Sequence, residues 1–394
     1  MPPTIKSRVR DAVSTRADQL VDVSHQIHAR PELGFVVHFA HDLLTGVLES
    51  AGFDVVRHAA ELPTAFVATF GEGPAVGVMC EYDALPEIGH GCGHNVIATI
   101  GLGAALAAAE VAREVGGKVV VIGSPAEEGG GGKVLMAKHG VFDGLEAAMM
   151  VHPADRDLTH MDVVAIERMA VEYKGAAAHA AAAPHKGRNA LDAAVLGYVN
   201  VAALRQHLAP SERVHGIITN GGVRPNVIPA HAGAEWYVRT PARHTLHSLV
   251  SRVHSCLEAG SHAAGCSMSI SPIGQTYHDM VHSTPVVAAY VDNAAEVGRS
   301  VAVPSAGTRV IGSTDMGNVS YLLPSIHPMI QAAPEGTPLH SVDFARSAGS
   351  DMGDKAAIDG ATALAMTVVD VWQDAELRHT ARADLEFSTN GDKW

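Results

Sequence analysis

Residues 119–122, Val-Val-Val-Ile, form an apolar run with no polar alternation. A strand of that kind is buried on both faces, as in a parallel sheet covered by helices. Residues 75–79 and 147–151 are similar apolar runs. Between and around them lie helical patterns. Val9, Val13, Leu20, Val23 and Ile27 recur at helical spacing, and Phe39, Leu43, Val47 and Leu48 form a second stripe over 38–51 that Gly52 can end. An Ala/Gly-rich helix is expected over 96–115. Further strands are expected at 53–56 and 65–70, with a turn at Gly71-Glu72-Gly73-Pro74. Strands alternating with helices imply an α/β fold, a mostly parallel sheet flanked by helices.

The texture changes after about Glu167. Strand patterns at 169–174, 216–219, 233–239 and 267–271 and helical patterns at 190–206 and 246–259 follow one another as β-α-β-β-α-β. That order is ferredoxin-like. It predicts an α+β domain, residues 168–275, inserted between two parts of a larger domain, 1–167 and 276–394. In the last part, helices are expected at 285–297 and 356–372, with a loosely held tail after Leu377. The 394 residues are enough for two or three domains.

Acidic residues number 42 against 28 basic, a net charge of −14. Such a chain repels phosphate backbones, so no nucleic-acid partner is expected, and an anionic substrate would need locally placed cations. The first ten residues hold no apolar signal-type segment, and the longest apolar run, 96–109, is short for a bilayer. A cytoplasmic protein without membrane association is therefore expected. Cys80, Cys92, Cys256 and Cys266 then read as reduced thiols or ligands. The 24 histidines invite a search for metal-ligand spacing.

Three loops that follow apolar strands carry such ligands. They are Glu81-Tyr82-Asp83-Ala84-Leu85-Pro86 with His90-Gly91-Cys92-Gly93-His94-Asn95, then Pro125-Ala126-Glu127-Glu128-Gly129, then His152-Pro153. In open α/β sheets ligands bind beyond the carboxyl ends of the strands, so the three loops can meet at one rim. Thiolate, imidazole and carboxylate together suit Zn²⁺, Mn²⁺ or Co²⁺. Each piece alone has a bland counterpart: a packed Cys, a surface His, a solvated acidic pair. Three pieces at successive strand ends do not. A structural zinc site would want Cys-x2-Cys pairs, which are absent. The glycine run before Lys133 is no phosphate loop, because Val134 stands where a hydroxyl is needed. Adjacent Glu127 and Glu128 point in different directions and can divide the work, one on metal and one on a proton.

Together, Tyr-Asp-Ala-Leu-Pro, His-Gly-Cys-Gly-His-Asn, Pro-Ala-Glu-Glu-Gly and Val-His-Pro resemble the M20 metallopeptidases, over essentially the whole chain. Within them the set is most similar to the branch of aminobenzoyl-glutamate hydrolase subunits and of dipeptidases acting on Xaa-basic dipeptides. The resemblance implies a zinc-exopeptidase-like catalytic domain with a lid domain that also forms a dimer contact. It implies two divalent ions held by Cys92, His94, Glu128, His152 and His340, with Cys92 as bridge and His327 as the lower-ranked rival of His340. Glu127 is implied as catalytic base and Asp83 as the acid orienting a ligand histidine. Asn95 stands where related branches have Asp. In the lid, His179 is implied to reach the substrate carbonyl, often in the partner's active site, Asn226 to bind substrate and Arg239 to bind its carboxylate. The implied activity is hydrolysis of the amide bond of N-acyl amino acids or aminobenzoyl-glutamate-like substrates. The alternatives are an Xaa-basic dipeptidase and an inactive, metal-stabilised binding subunit. A homodimer is implied, with a heteromeric partner as the alternative.

Overall fold

The computed structural model describes residues 3–305, 307–308 and 310–390. The chain forms two compact units, Met1–Asp162 with Met280–Trp394, and Val163–Asp279. The expected divisions at 167/168 and 275/276 fall a few residues inside the second unit.

In the first unit six strands lie in the order Asp54–Arg57, Phe66–Gly71, Lys118–Ser124, Ala75–Glu81, Leu145–Met149 and Ser325–Ile326. The last four are mutually parallel, and the first two form an antiparallel edge. All of Val119, Val120, Val121 and Ile122 are buried, as their lack of alternation requires. Strand 145–149 begins two residues before the expected run, and the chain continues into His152–Ala154, which pairs in parallel with Met329–Gln331. The 22-residue helix His94–Val115 is apolar and long enough to cross a membrane by length and composition, yet 89% of its most apolar window is buried in the fold. Its small residues let it pack closely on helix Asp351–Gln373. A Cβ on Gly103 would stand 2.9 Å from the Ala361 Cβ.

The tail after Leu377 departs from expectation: Ala375–Thr389 is a helix. Asp374 caps it, accepting from the N–H groups of Glu376 and Leu377. Ala381, Leu385 and Thr389 form a buried stripe at four-residue spacing. Arg378 donates to the carbonyls of Val371 and Trp372, the end of the preceding helix. Ala and Thr in the stripe, diluted among charges, conceal it in the sequence.

The second unit is a four-stranded antiparallel sheet in the order Ser267–Pro272, Ala165–Lys174, His231–Thr240, Arg213–Asn220. Numbered along the chain this is 4-1-3-2, the ferredoxin-like arrangement. Met169, Val171, Tyr173, Ala234, Trp236 and Val238 form one apolar core with residues of helices Ala190–Leu204 and Arg243–Ala263. By the alternation of strands, Arg168 and Arg239 share the opposite face. Val195, Leu196, Val199, Ile217 and Ile218 are exposed on this unit.

Trp372 is 3% exposed and donates from Nε1 to the Lys118 carbonyl at 3.3 Å, joining helix 351–373 to the start of a central strand. Trp372→Ala should destabilise the protein by about 3–5 kcal/mol. Denaturant unfolding would read this as a lower midpoint, and an unchanged midpoint would refute the packing role.

Candidate metal centre

The loop between strand 75–81 and helix 94–115 carries the first ligands. Gly93 lies just before the helix with φ 78°, and a Cβ there would stand 2.6 Å from Pro153 Cγ. Only glycine lets this turn press against the segment that follows His152. Cys92 Sγ thereby sits 3.4 Å from His152 Nε2. His152 donates from Nδ1 to the Pro153 carbonyl at 2.8 Å, which leaves the Nε2 lone pair for a cation.

Asp83 organises the next pair. Its Oδ1 is 3.3 Å from His94 Nδ1, so His94 Nε2 faces inward, 3.9 Å from both Glu127 Oε2 and Glu128 Oε1. The same carboxylate accepts the backbone N–H groups of Glu127 at 3.1 Å and Glu128 at 3.2 Å. Ala126, just before them, has φ 61°, a strained conformation for a residue with a Cβ. His340, far along the chain, also has positive φ, at 60°. Its N–H donates to the Gly91 carbonyl at 2.9 Å, and Ser341 caps the helix that follows. His340 Nε2 ends 3.5 Å from Glu128 Oε1.

Two donor groups result, Cys92/His94/His152 and Cys92/Glu128/His340, each with its ligand atoms within 4.8 Å of one another. Cys92 is common to both. A third group, His94/Glu127/Glu128, lies alongside. His94 Nε2 and Glu128 Oε1 are buried without a hydrogen-bond partner, an arrangement that costs free energy unless a cation fills the space. The mixed sulfur, nitrogen and oxygen donors fit borderline divalent ions. His327 is buried with its ring centroid 5.3 Å from that of His152 and belongs to neither group. Asn95 points away, donating to Ser24 Oγ and the Ala348 carbonyl.

Burial pushes His152 down to about 4, so its ring is neutral at physiological pH. Burial acts the same way on His94, but Cys92 and Asp83 outweigh it and hold His94 well above its usual value. Burial would raise Asp83, but hydrogen bonds from His94 and the two amides leave it low. Burial and the Glu128 charge push the Cys92 thiol well up. Burial, then Glu81, Glu128 and Asp315, do the same to Glu127. A cation needs Cys92 as thiolate and the His94 Nε2 lone pair free, so its uptake is coupled to the release of protons from this pair.

In the second unit, exposed His179 accepts the N–H groups of Ala181 and Ala182 at Nδ1. In the neutral ring the proton is then on Nε2. The Asn226 carbonyl accepts the Ala180 N–H at 3.1 Å, and His179 bridges Val227, so the two segments are adjacent. Burial and the nearby Arg168 lower Arg239. Arg168 stacks on Tyr277 at 4.4 Å, and its Nε and Nη2 are buried without a partner.

Sequence reasoning missed Arg168, Glu81, Lys133 and Asp315. Lys133 is fully buried, its Nζ 2.6 Å from Asp315 Oδ1 and in contact with Glu81 Oε1. The available signal was a lysine running directly into Val134-Leu135-Met136, and a glutamate ending an apolar strand.

Zinc uptake should release at least one proton per protein molecule, and zinc affinity should fall as pH is lowered from 8 to 6, with about a tenfold loss per pH unit for each proton released. Calorimetry in buffers of different ionisation enthalpy measures this, and uptake without proton release would contradict the upward shift of the Cys92 thiol.

Comparison with known proteins identifies the family. The model of peptidase family M20/M25/M40 matches residues 77–343. The chain is 38% identical to the Xaa-Arg dipeptidase of Mus musculus over 93% of this chain and 89% of that protein. It is 30% identical to a p-aminobenzoyl-glutamate hydrolase subunit of Escherichia coli over 97% and 95%. Among solved structures, the fold is similar to a dinuclear metal binding peptidase from the M20 family, the YXEP protein of Bacillus subtilis. There the TM-score is 0.70 at 18% identity, covering 91% of this chain and 99% of that one. The chain belongs to peptidase family M20/M25/M40 and is a metal-dependent hydrolase.

Proposed function

We propose that this hydrolase uses two divalent ions to cleave the amide bond of N-acyl amino acids or aminobenzoyl-glutamate-like substrates. The observation that carries the reading is that Cys92 belongs to two donor groups at once, with Glu127 beside them. His94 and His152 would complete one site, and Glu128 and His340 the other. Bound there, Zn²⁺, Mn²⁺ or Co²⁺ would supply a Lewis acid and lower the pKa of water to about 7. Glu127 takes the proton from the attacking water and delivers it to the leaving nitrogen. Asp83 keeps His94 Nε2 turned inward and fixes the Glu127 backbone. His179 offers its Nε2–H to the oxyanion. Arg239, with Arg168 on the same sheet face, supplies the positive charge that a substrate carboxylate needs in a −14 chain, and Asn226 adds a polar contact.

A second reading, hydrolysis of Xaa-basic dipeptides, is favoured by the similarity to Xaa-Arg dipeptidases of Mus musculus and Homo sapiens, which covers 93% and 97% of this chain. The exposed apolar residues of helix 190–204 and strand 213–220 support a homodimer formed through the second unit, with a heteromeric partner as the alternative. Four free cysteines suit a reducing, cytoplasmic setting.

Glu127→Gln should keep the fold and the metal content while kcat falls by about 10²–10⁴-fold. Turnover at the wild-type rate would remove Glu127 from its role. Comparing kcat/KM for aminobenzoyl-glutamate and acyl-glutamates with Xaa-Lys and Xaa-Arg dipeptides decides between the two substrate classes. Metal-loaded protein that cleaves neither class would refute both.

A further inference from the structure

A buried cation lies against the ligand cluster. Lys133, in the first turn of helix Gly132–Lys138, is fully buried together with Glu81 and Asp315. Its Nζ is shared by Asp315 Oδ1 and Glu81 Oε1, and its backbone N–H donates to Asp315 Oδ2 at 2.9 Å. The other oxygen of Glu81, Oε2, lies 3.8 Å from His94 Nε2, the ring nitrogen that faces the cation position. The Glu81 charge also acts on Glu127 and His152. Glu81 is thus a carboxylate on the wall of the cradle, one oxygen held by an ammonium and the other beside a ligand atom.

Zinc accepts carboxylate oxygen as well as nitrogen and sulfur, and a site closed by four protein donors is structural, whereas a catalytic site keeps one position open. We propose that Lys133 is a positioning residue that withholds Glu81 from the ion at Cys92, His94 and His152, so that this ion keeps a position open for water or substrate. Asp315 holds the lysine in turn, gripping its ammonium and its backbone N–H together. Burying three charges brings little stability, because their desolvation offsets their attraction. Control over a stray donor is a reason for the cluster that stability does not provide. The inference rests on the two-ion reading above.

Two double variants separate it from a purely structural role. Lys133→Met with Asp315→Asn, and Lys133→Met with Glu81→Gln, each remove one positive and one negative charge, so the buried net charge is unchanged. Only the first leaves Glu81 as a free carboxylate. Loaded with Co²⁺, the first should show weaker visible absorption from a higher coordination number and slower metal loss to a chelator. Its kcat should fall about 10–100-fold with KM unchanged. The second should keep the wild-type spectrum and chelator sensitivity. Identical spectra and chelator sensitivity in the two doubles would overturn the inference, whereas a wild-type protein that binds no Co²⁺ would overturn the two-ion reading itself.

Discussion

The Asp83 carboxylate commits both of its oxygens to the site. One is shared between the His94 ring and the Glu127 amide, and the other takes the Glu128 amide. A single buried anion therefore orients the His94 ring and sets the path of the loop that carries both glutamates. It also offsets the left-handed backbone at Ala126, which a loop without those hydrogen bonds would relax. Asp83 lies just past the end of strand 75–81, and the two glutamates lie just past the end of its parallel neighbour, strand 118–124. The spacing that makes these contacts is the spacing of the sheet.

Much of this was legible from the residues. Unalternating apolar strands identify a sheet covered on both faces, and ligand-bearing loops after successive strands imply a shared rim. The β-α-β-β-α-β order of the second unit follows from its change of texture. Other features were hidden for identifiable reasons. The Ala375–Thr389 helix was lost because its buried stripe is made of Ala, Leu and Thr among charges. Strand 145–149 was misplaced by two residues because Met150 and Val151 are as apolar as the strand itself and lead straight into His152. The Glu81–Lys133–Asp315 cluster was not read because its members are far apart along the chain, and nothing in the sequence pairs them. Arg168 fell just outside the strand pattern that begins at Met169.

The electrostatics of the site are lopsided by construction. Glu81 and Asp315 grip one ammonium, Lys133, while burial and the charges of neighbouring carboxylates push Glu127 and the Cys92 thiol upward. Protons and divalent ions are therefore rivals for the same pocket of charge.

The donors are unevenly spread in time as well as in space. Cys92, His94, Glu128 and His152 all precede the 163–279 unit, and His340 follows it. On a ribosome, the interval between His152 and His340 is on the order of ten to forty seconds. During that interval the nascent polypeptide carries a thiol, two imidazoles and a carboxylate but not His340, so the Cys92/Glu128/His340 group can close only after the second unit has been made.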